Sequence, residues 1–434
     1  MKINEIAKAT IRISVGIYLL FYWAAYQNII SGTILRIPEI LIFLSFTIII
    51  LKNKPRVNKH NWGMRISFYL FIFIFIISGL YNNIGLAYFF LFFKSIIVFI
   101  LIYFILLNSD LAIREVRKLY HFVGFIFLIQ IPIALIKLFI FGSNETPLGF
   151  IGSQLTTYFV LMAVTYYFTE YLFIYKKRNL ILILLFFLVG IVGGKRSLAF
   201  FVPIVLLITY ILFIIIKRNI GVNFFLLISI LLLSFYIFIR TLPTLNPDNK
   251  VWGEFNAEYA LQYAKDYSYG EYKQSDMSLY AIGRSSAIEN TLKKMNEYPI
   301  IQQLIGIGPG SIIKTSVKKL DNREVITTEF GVLYGTNGFI FFLVQTGWLG
   351  LLSFLSFNLS FIWIYVKNLR RKELIDEDKS ILIVAIAFTF ILTVLGFYYD
   401  VVHKVGPIIV IIYTIQSLGL IIIQNNNATN QKST

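Results

Sequence analysis

The chain predicts an all-α polytopic membrane protein, and three observations carry that prediction. Hydrophobic residues make up 58% of its 434 positions, with 42 Phe, while charged residues make up only 14%. No soluble fold of this length could hide so much apolar side chain. The apolar residues fall into twelve stretches of about the length a spanning helix needs. A single long polar segment, 240–336, then separates nine of these stretches from the last three.

The first stretch, 11–30, follows a basic start, Met1 to Arg12, with no small-residue cleavage site behind it. It therefore reads as a first span and not as a removed signal. The stretches 37–51, 66–82, 85–107, 119–141, 153–175, 179–194, 197–216 and 221–239 follow. After the polar segment come 337–366, 380–399 and 405–423. These bounds divide the chain into a membrane domain over 1–239, an insert over 240–336, a second membrane part over 337–424 and a tail over 425–434. Two stretches are irregular. The segment 337–366 is too long for one plain span and contains Gly347 and Gly350 in QTGWLG, so a short helix over 338–346 should end or bend at Gly347. The short span 179–194 ends in Gly193-Gly194, which predicts a tight turn.

Loop charge orients the spans. With twelve crossings, the N-terminus and the loops at 52–65, 114–118, 176–178, 217–218 and 367–379 share one side. That side holds 22 of the 39 basic residues but only 7 of the 22 acidic ones. By the positive-inside rule it is cytoplasmic, with both termini there. The insert, with eleven basic and eleven acidic residues, then lies outside. The formal charge of +17 is thus a topology signal, and it gives no reason to expect nucleic acid as a partner. The absence of cysteine excludes disulfides, thiolate metal sites and cysteine nucleophiles. His60, His121 and His403 have no metal-ligand spacing, so neither a metal nor another cofactor is expected.

Some cations break the rule. Lys195 and Arg196 sit in GGKRS, on the side where positive charge should be scarce. Lys94 lies within the fourth span, too deep for easy snorkelling, and an ionisable residue there usually faces a polar cavity or a partner. Lys137, near the outer end of the fifth span, can equally snorkel to headgroups. Glu170, near the inner end of the sixth, suits a local pairing with Lys176 or Lys177. A group of cations at one end of the membrane domain fits an anion at the lipid interface, a phosphate or pyrophosphate. Arg196 ranks above Lys195 because a guanidinium binds phosphate through two parallel N–H groups.

The insert adds to this picture. Its first half is rich in Tyr, including Tyr259, Tyr263, Tyr267, Tyr269, Tyr272 and Tyr280, together with Trp252. Such rings stack on sugars but also serve as ordinary packing. In GRSSAIENTLKKMNEYPII, Ser286 precedes Glu289 by three residues, a capping-box pattern with Ile288, Leu292 and Met295 as the apolar stripe. A helix over 286–297, stopped by Pro299, is expected. Arg284 would sit just before its N-terminus, where free N–H groups favour an anion. Downstream, LIGIGPGS (Gly306, Gly308, Gly310) is a glycine-rich turn that matches no nucleotide fingerprint. It would let the chain pass close to the membrane domain or to a ligand.

These residues resemble the O-antigen polymerase and ligase superfamily, particularly its Wzy-type polymerases. The resemblance rests on the number of spans, the large outer loop before the last few, the GGKRS turn and the run GR…GIGPGS…TNGF…QTGWLG. In that superfamily the last stretch usually reads His-Asn, an apolar helix, then G-x-x-G. Here Asn337, Gly347 and Gly350 match, but Thr336 stands where the histidine would be, which weighs against the ligases and leaves a general base unassigned. Glu289, Asp276 and Glu297 are possible bases.

The resemblance implies a GT-C-like fold with a mainly helical external loop between spans nine and ten. It also implies a bacterial inner-membrane glycosyltransferase that joins oligosaccharide repeats carried on undecaprenyl pyrophosphate. Donor and acceptor would both be lipid-linked glycans, and a chain-length co-polymerase is a possible further partner. Arg196 and Arg284 would stabilise the pyrophosphate leaving group, with Lys195, Lys94, Asn337, Gly308, Gly310 and His403 binding substrate. The rivals are a ligase that moves finished glycan to lipid A core and a flippase for lipid-linked glycans. A flippase would predict two similar halves, and no internal repeat is visible.

Overall fold

A computed structural model describes residues 3–26, 30–52, 62–141, 153–217, 223–269, 283–312, 337–398 and 406–433. Each of the twelve apolar stretches is helical where it is described, and no strand occurs among the described residues. The first nine are α1 (Ile3–Tyr26), α2 (Arg36–Lys52), α3 (Trp62–Tyr81), α4 (Leu86–Phe92, continuing through Val98–Leu107), α5 (Ile113–Phe141), α6 (Ser153–Ile174), α7 (Arg178–Val192), α8 (Ser197–Lys217) and α9 (Asn223–Thr241). The insert contributes α10 (Ala257–Tyr269), α11 (Arg284–Glu297) and α12 (Ile300–Ile305). The last three are α13 (Gly338–Asn368), α14 (Asp376–Phe390, continuing to Tyr398) and α15 (Gly406–Ser433). The polar end of the chain thus continues the last helix through Ser433.

Among the described residues, eight helices are long and apolar enough to cross a membrane. Three further apolar helices, Val98–Leu107, Arg178–Val192 and Ile228–Thr241, are shorter. The chain is an all-α, multi-pass membrane protein. At its centre stand α6, α14 and α15, buried along nearly their whole length. Several of their polar residues are satisfied within the bundle: Thr165 and Thr169 donate to Leu161 and Thr165 carbonyls one turn back, and Gln416 Nε2 on α15 donates to Thr389 Oγ1 on α14 at 2.7 Å. Buried polar groups need such partners.

Two of the long helices contain a π-type turn, Phe93–Ile97 after Leu86–Phe92 and Ile391–Leu395 in α14. Neither turn was predicted from the sequence. Lys94 lies in the first of these turns, about 13 Å along the helix from Gly85.

The irregularity predicted at Gly347 is present. Gly347 has φ 63° and ψ −172° and breaks α13 into two arms. Phe342 and Phe354 would lie about 18 Å apart on a straight helix, yet their rings stack at 4.1 Å. The chain therefore doubles back at Gly347, and the arm 338–346 folds against the arm that follows it. Phe342 also meets Phe71 at 5.9 Å and Phe397 at 6.0 Å, while Phe341 stacks on Phe92 at 5.4 Å. The short arm is thus a re-entrant half-helix held in an aromatic core.

Candidate functional site at the insert end of the bundle

The insert is bound to the membrane helices at several separate points. The first is the glycine turn after α12. Gly306, Gly308 and Gly310 all have positive φ. A Cβ at Gly306 would collide with the Gln345–Thr346 peptide, and one at Gly310 with the Tyr88 carbonyl. The gap left by the missing side chains is filled by hydrogen bonds. Ile307 N–H donates to the Val344 carbonyl at 2.8 Å, Gly310 N–H to Gln345 Oε1 at 2.6 Å, and Asn82 Nδ2 to the Gly306 carbonyl at 3.0 Å. Asn82 Oδ1 in turn accepts from Gln302 Nε2 at 2.8 Å. Gly308 and Gly310 are buried in this joint between insert, α3–α4 loop and Gly347. The close approach expected of the turn is made to the membrane helices.

The second point is the GGKRS turn. Gly194 has φ 60° and closes the tight α7–α8 connection, as its two glycines predicted. This presents Arg196 to α10. Tyr259 N–H donates to Asn256 Oδ1 at 2.9 Å to cap that helix, which places Tyr263 and Tyr267 one turn apart on one face. Their rings stack with 17° between planes. The Arg196 guanidinium donates to the Tyr263 hydroxyl and lies 5.4 Å and 5.5 Å from the two ring centroids. Such cation–π contact holds a cation without neutralising it. Lys195, in the same turn, is half-buried.

The third point begins one residue further along α10. The Ser268 hydroxyl bonds both the Ser285 hydroxyl on α11 and the Tyr398 hydroxyl at the end of α14. Arg284, beside Ser285, lies 6.0 Å from the Tyr398 ring centroid. Two arginines more than eighty residues apart in sequence are thereby brought to the last turns of the same helix, α10. Tyr398 and Ser268 were not singled out from sequence. An aromatic at a helix end and a serine among polar residues are too ordinary to signal a contact.

The helix after Arg284 differs in detail from its prediction. It starts at Arg284, with Gly283 as N-cap and no side-chain capping bond. Ser286 lies inside it, and its hydroxyl donates to the Tyr269 carbonyl at 2.8 Å, so the expected capping box does not form. That hydroxyl satisfies the end of α10 instead, which ties α10 to α11. Arg284 is consequently the first helical residue, and not one that precedes the helix. The expected stop at Pro299 holds.

Asn337 is fully buried and caps the re-entrant half-helix, accepting from Ile340 N–H at 2.9 Å. Its Nδ2 has no hydrogen-bond partner among the described residues. Lys94 is half-buried, and no contact with Arg196 or Arg284 is present among the described residues. Lys137 is buried within the bundle at 6% exposure. Glu289 and Glu297 are exposed on α11. His403, Asp276, Thr336, Tyr272 and Tyr280 lie outside the described residues. No group of three or more His, Cys, Asp or Glu that could hold a metal occurs among the described residues.

The site therefore offers fixed cations and aromatic rings at a membrane end, with hydroxyls between them. That arrangement can bind a phosphorylated or pyrophosphorylated group and present ring faces to whatever it carries. No family model matches this chain, and no curated protein matches it in sequence.

Proposed function

We propose that the chain is a polysaccharide polymerase of the Wzy type, a glycosyltransferase that joins lipid-linked oligosaccharide repeats at the outer face of a bacterial inner membrane. The observation that carries this reading is the placement of Arg196 against Tyr263 and Tyr267 of α10 and of Arg284 beside the last turn of the same helix, through the Ser285–Ser268 bond and the Tyr398 ring. It assembles cations from the membrane domain and from the insert beside one tyrosine-rich helix. The short motifs shared with the polymerase and ligase superfamily support the same reading. On this reading all twelve apolar stretches cross, both termini are cytoplasmic and the insert lies outside.

In the reaction, a hydroxyl oxygen of the acceptor sugar bonds to the anomeric carbon of the donor. The bond from that carbon to polyprenyl pyrophosphate breaks, and its electron pair leaves with the pyrophosphate. The hydroxyl proton passes to solvent or to the departing group. Charge thus builds on the pyrophosphate, where Arg196 and Arg284, with Lys195, would stabilise it. Lys94 and Asn337 would contact the lipid-proximal part of the substrate from within the bundle. Gly308 and Gly310 serve by seating the insert, and His403 would add a polar group from the last outer loop. Tyr263 and Tyr267 would open from Arg196 to admit the phosphates and stack on sugar. An oxocarbenium-like centre needs little help from a strong base, so Thr336 in place of histidine is compatible with turnover.

Cells carrying Arg196→Ala or Arg284→Ala should make single-repeat glycan at normal protein level, with polymerisation reduced about a hundredfold or more. Full-length polymer in both variants would overturn the assignment. Deleting the gene separates the nearest rival. A missing polymerase leaves one capped repeat on the lipid core, whereas a missing ligase leaves none.

A further inference from the structure

A second polar site lies at the opposite end of the bundle, between α5, α6 and α7. There a cavity of 560 Å³ is lined by Glu170, Lys176, Arg178, Asn179, His121 and Tyr166, among others. Its volume falls in the range of ligand pockets. Glu170 is four residues from the end of α6, so it sits about 6 Å below the helix end, at the depth of lipid headgroups.

Its carboxylate is poorly served. Glu170 is 3% exposed, and its Oε1 makes no hydrogen bond among the described residues. Lys176 Nζ stands 4.0 Å from Oε2, the local pairing expected from sequence but too long for a hydrogen bond. Of the other donors nearby, His121 Nε2 bonds Glu377 at 2.9 Å and the Tyr166 hydroxyl points to the Tyr120 carbonyl, while the buried Tyr120 hydroxyl faces Glu170 but closes no well-formed hydrogen bond to it. A buried carboxylate oxygen without a donor is costly. A ligand bearing N–H groups would relieve it.

The same cavity carries two cations at its rim, Lys176 and Arg178, with the Arg178 side chain exposed. One recessed anion and two rim cations complement a zwitterion. The flank toward the middle of the bundle is apolar and open, with Phe125 56%, Leu128 41% and Ile181 61% exposed. In a membrane protein that flank faces acyl chains.

We infer that this cavity binds a zwitterionic membrane phospholipid with a primary ammonium headgroup, of the phosphoethanolamine type. The ammonium donates to Glu170, the phosphate accepts from Arg178 and Lys176, and the acyl chains lie along Phe125, Leu128 and Ile181. A trimethylammonium headgroup has no N–H to give Glu170. A glycerol headgroup has no cation for it. A soluble phosphate lacks both the ammonium and the chains. The site is independent of the polymerase reading and lies at the other end of the molecule.

Native mass spectrometry of the full-length chain in detergent tests it. The probes are dioleoyl phosphatidylethanolamine, phosphatidylcholine and phosphatidylglycerol, with soluble phosphoethanolamine as competitor. One phosphatidylethanolamine should be retained per chain, at least about tenfold better than either other lipid. Glu170→Gln should lower its retention to the phosphatidylcholine level, and Arg178→Gln should weaken all three. Equal retention of the three lipids by the unaltered chain, or undiminished phosphatidylethanolamine binding in Glu170→Gln, would overturn the inference. Competition by an equal concentration of soluble phosphoethanolamine would overturn the lipid as its source. Glu170→Gln is nearly isosteric, and its unfolding temperature without lipid reports whether it folds. If it does not, the lipid preference of the unaltered chain decides.

Discussion

The two ends of the helix bundle are tied together by different chemistry. At the end away from the insert, charges pair with charges. Lys8 meets Glu115 at 2.6 Å, Arg117 grips Asp378 through Nε and Nη2, and Lys217 meets Asp376 at 2.7 Å. These pairs join α1 to α5, α5 to α14 and α8 to α14. At the insert end the ties are amides, hydroxyls and rings: Gln345, Asn82 and Gln302 around the glycine turn, then Ser268, Ser285 and Tyr398. Arg196 there meets tyrosines and no carboxylate among the described residues. One end uses its cations to hold helices, whereas at the other Arg196 is held by rings and a hydroxyl among the described residues. A cation kept free of carboxylates is the one that can serve an anionic ligand.

Four substitutions would break or sharpen this contrast. The largest effect is expected for Gly347→Ala, since its φ and ψ are essentially restricted to glycine and a Cβ would strike the Leu304 carbonyl. A loss of at least about 3 kcal/mol is expected, read as a sharp drop in detergent-stable, monodisperse protein. Arg117→Ala leaves Asp378, 3% exposed, without its cation. Because Arg117 itself is partly exposed, the expected cost is about 2 kcal/mol, seen as a lower unfolding temperature with glycan length per folded molecule unchanged.

Arg196→Lys keeps the charge but loses the planar fork. On the proposed polymerase reading, unfolding temperature should hold while the polymerisation rate falls about tenfold, equivalent to about 1.4 kcal/mol of barrier. An equal fall in stability would instead class Arg196 with the structural pairs of the other end. The smallest effect belongs to Lys217→Ala. Both members of its pair are exposed by a third or more, and the change in thermal stability should be below about 1 kcal/mol.

Much of the fold was legible because membrane helices announce themselves by length and hydropathy. The break at Gly347 was legible because an apolar run of thirty residues is longer than a bilayer is thick and contains glycine where it must turn. The Glu170–Lys176 pairing was legible because it is local. The site was legible only in part. Arg196 stood out because it violates the charge rule, but its partners Tyr263 and Tyr267 lie more than sixty residues away, and nothing local marks them among the many tyrosines. Ser286 was read as a cap because the capping-box spacing is correct. In the structure a tertiary partner, the end of α10, takes its hydroxyl first. The two π turns have no compositional signature at all.

The doubling-back at Gly347 also constrains how the molecule can be made. To the machinery that inserts nascent chains, residues 338–368 are one uninterrupted apolar segment of 31 residues. In the finished fold its first nine residues fold back on the rest, and their reversal is propped by the backbone of Leu304 and Gly306. That prop belongs to the preceding polar insert. The insert must therefore have folded back onto α3 before α13 can adopt its final shape. Final packing of α13 thus waits on a segment that precedes it, and a chain lacking residues 300–310 would lose the prop that holds the hairpin at Gly347.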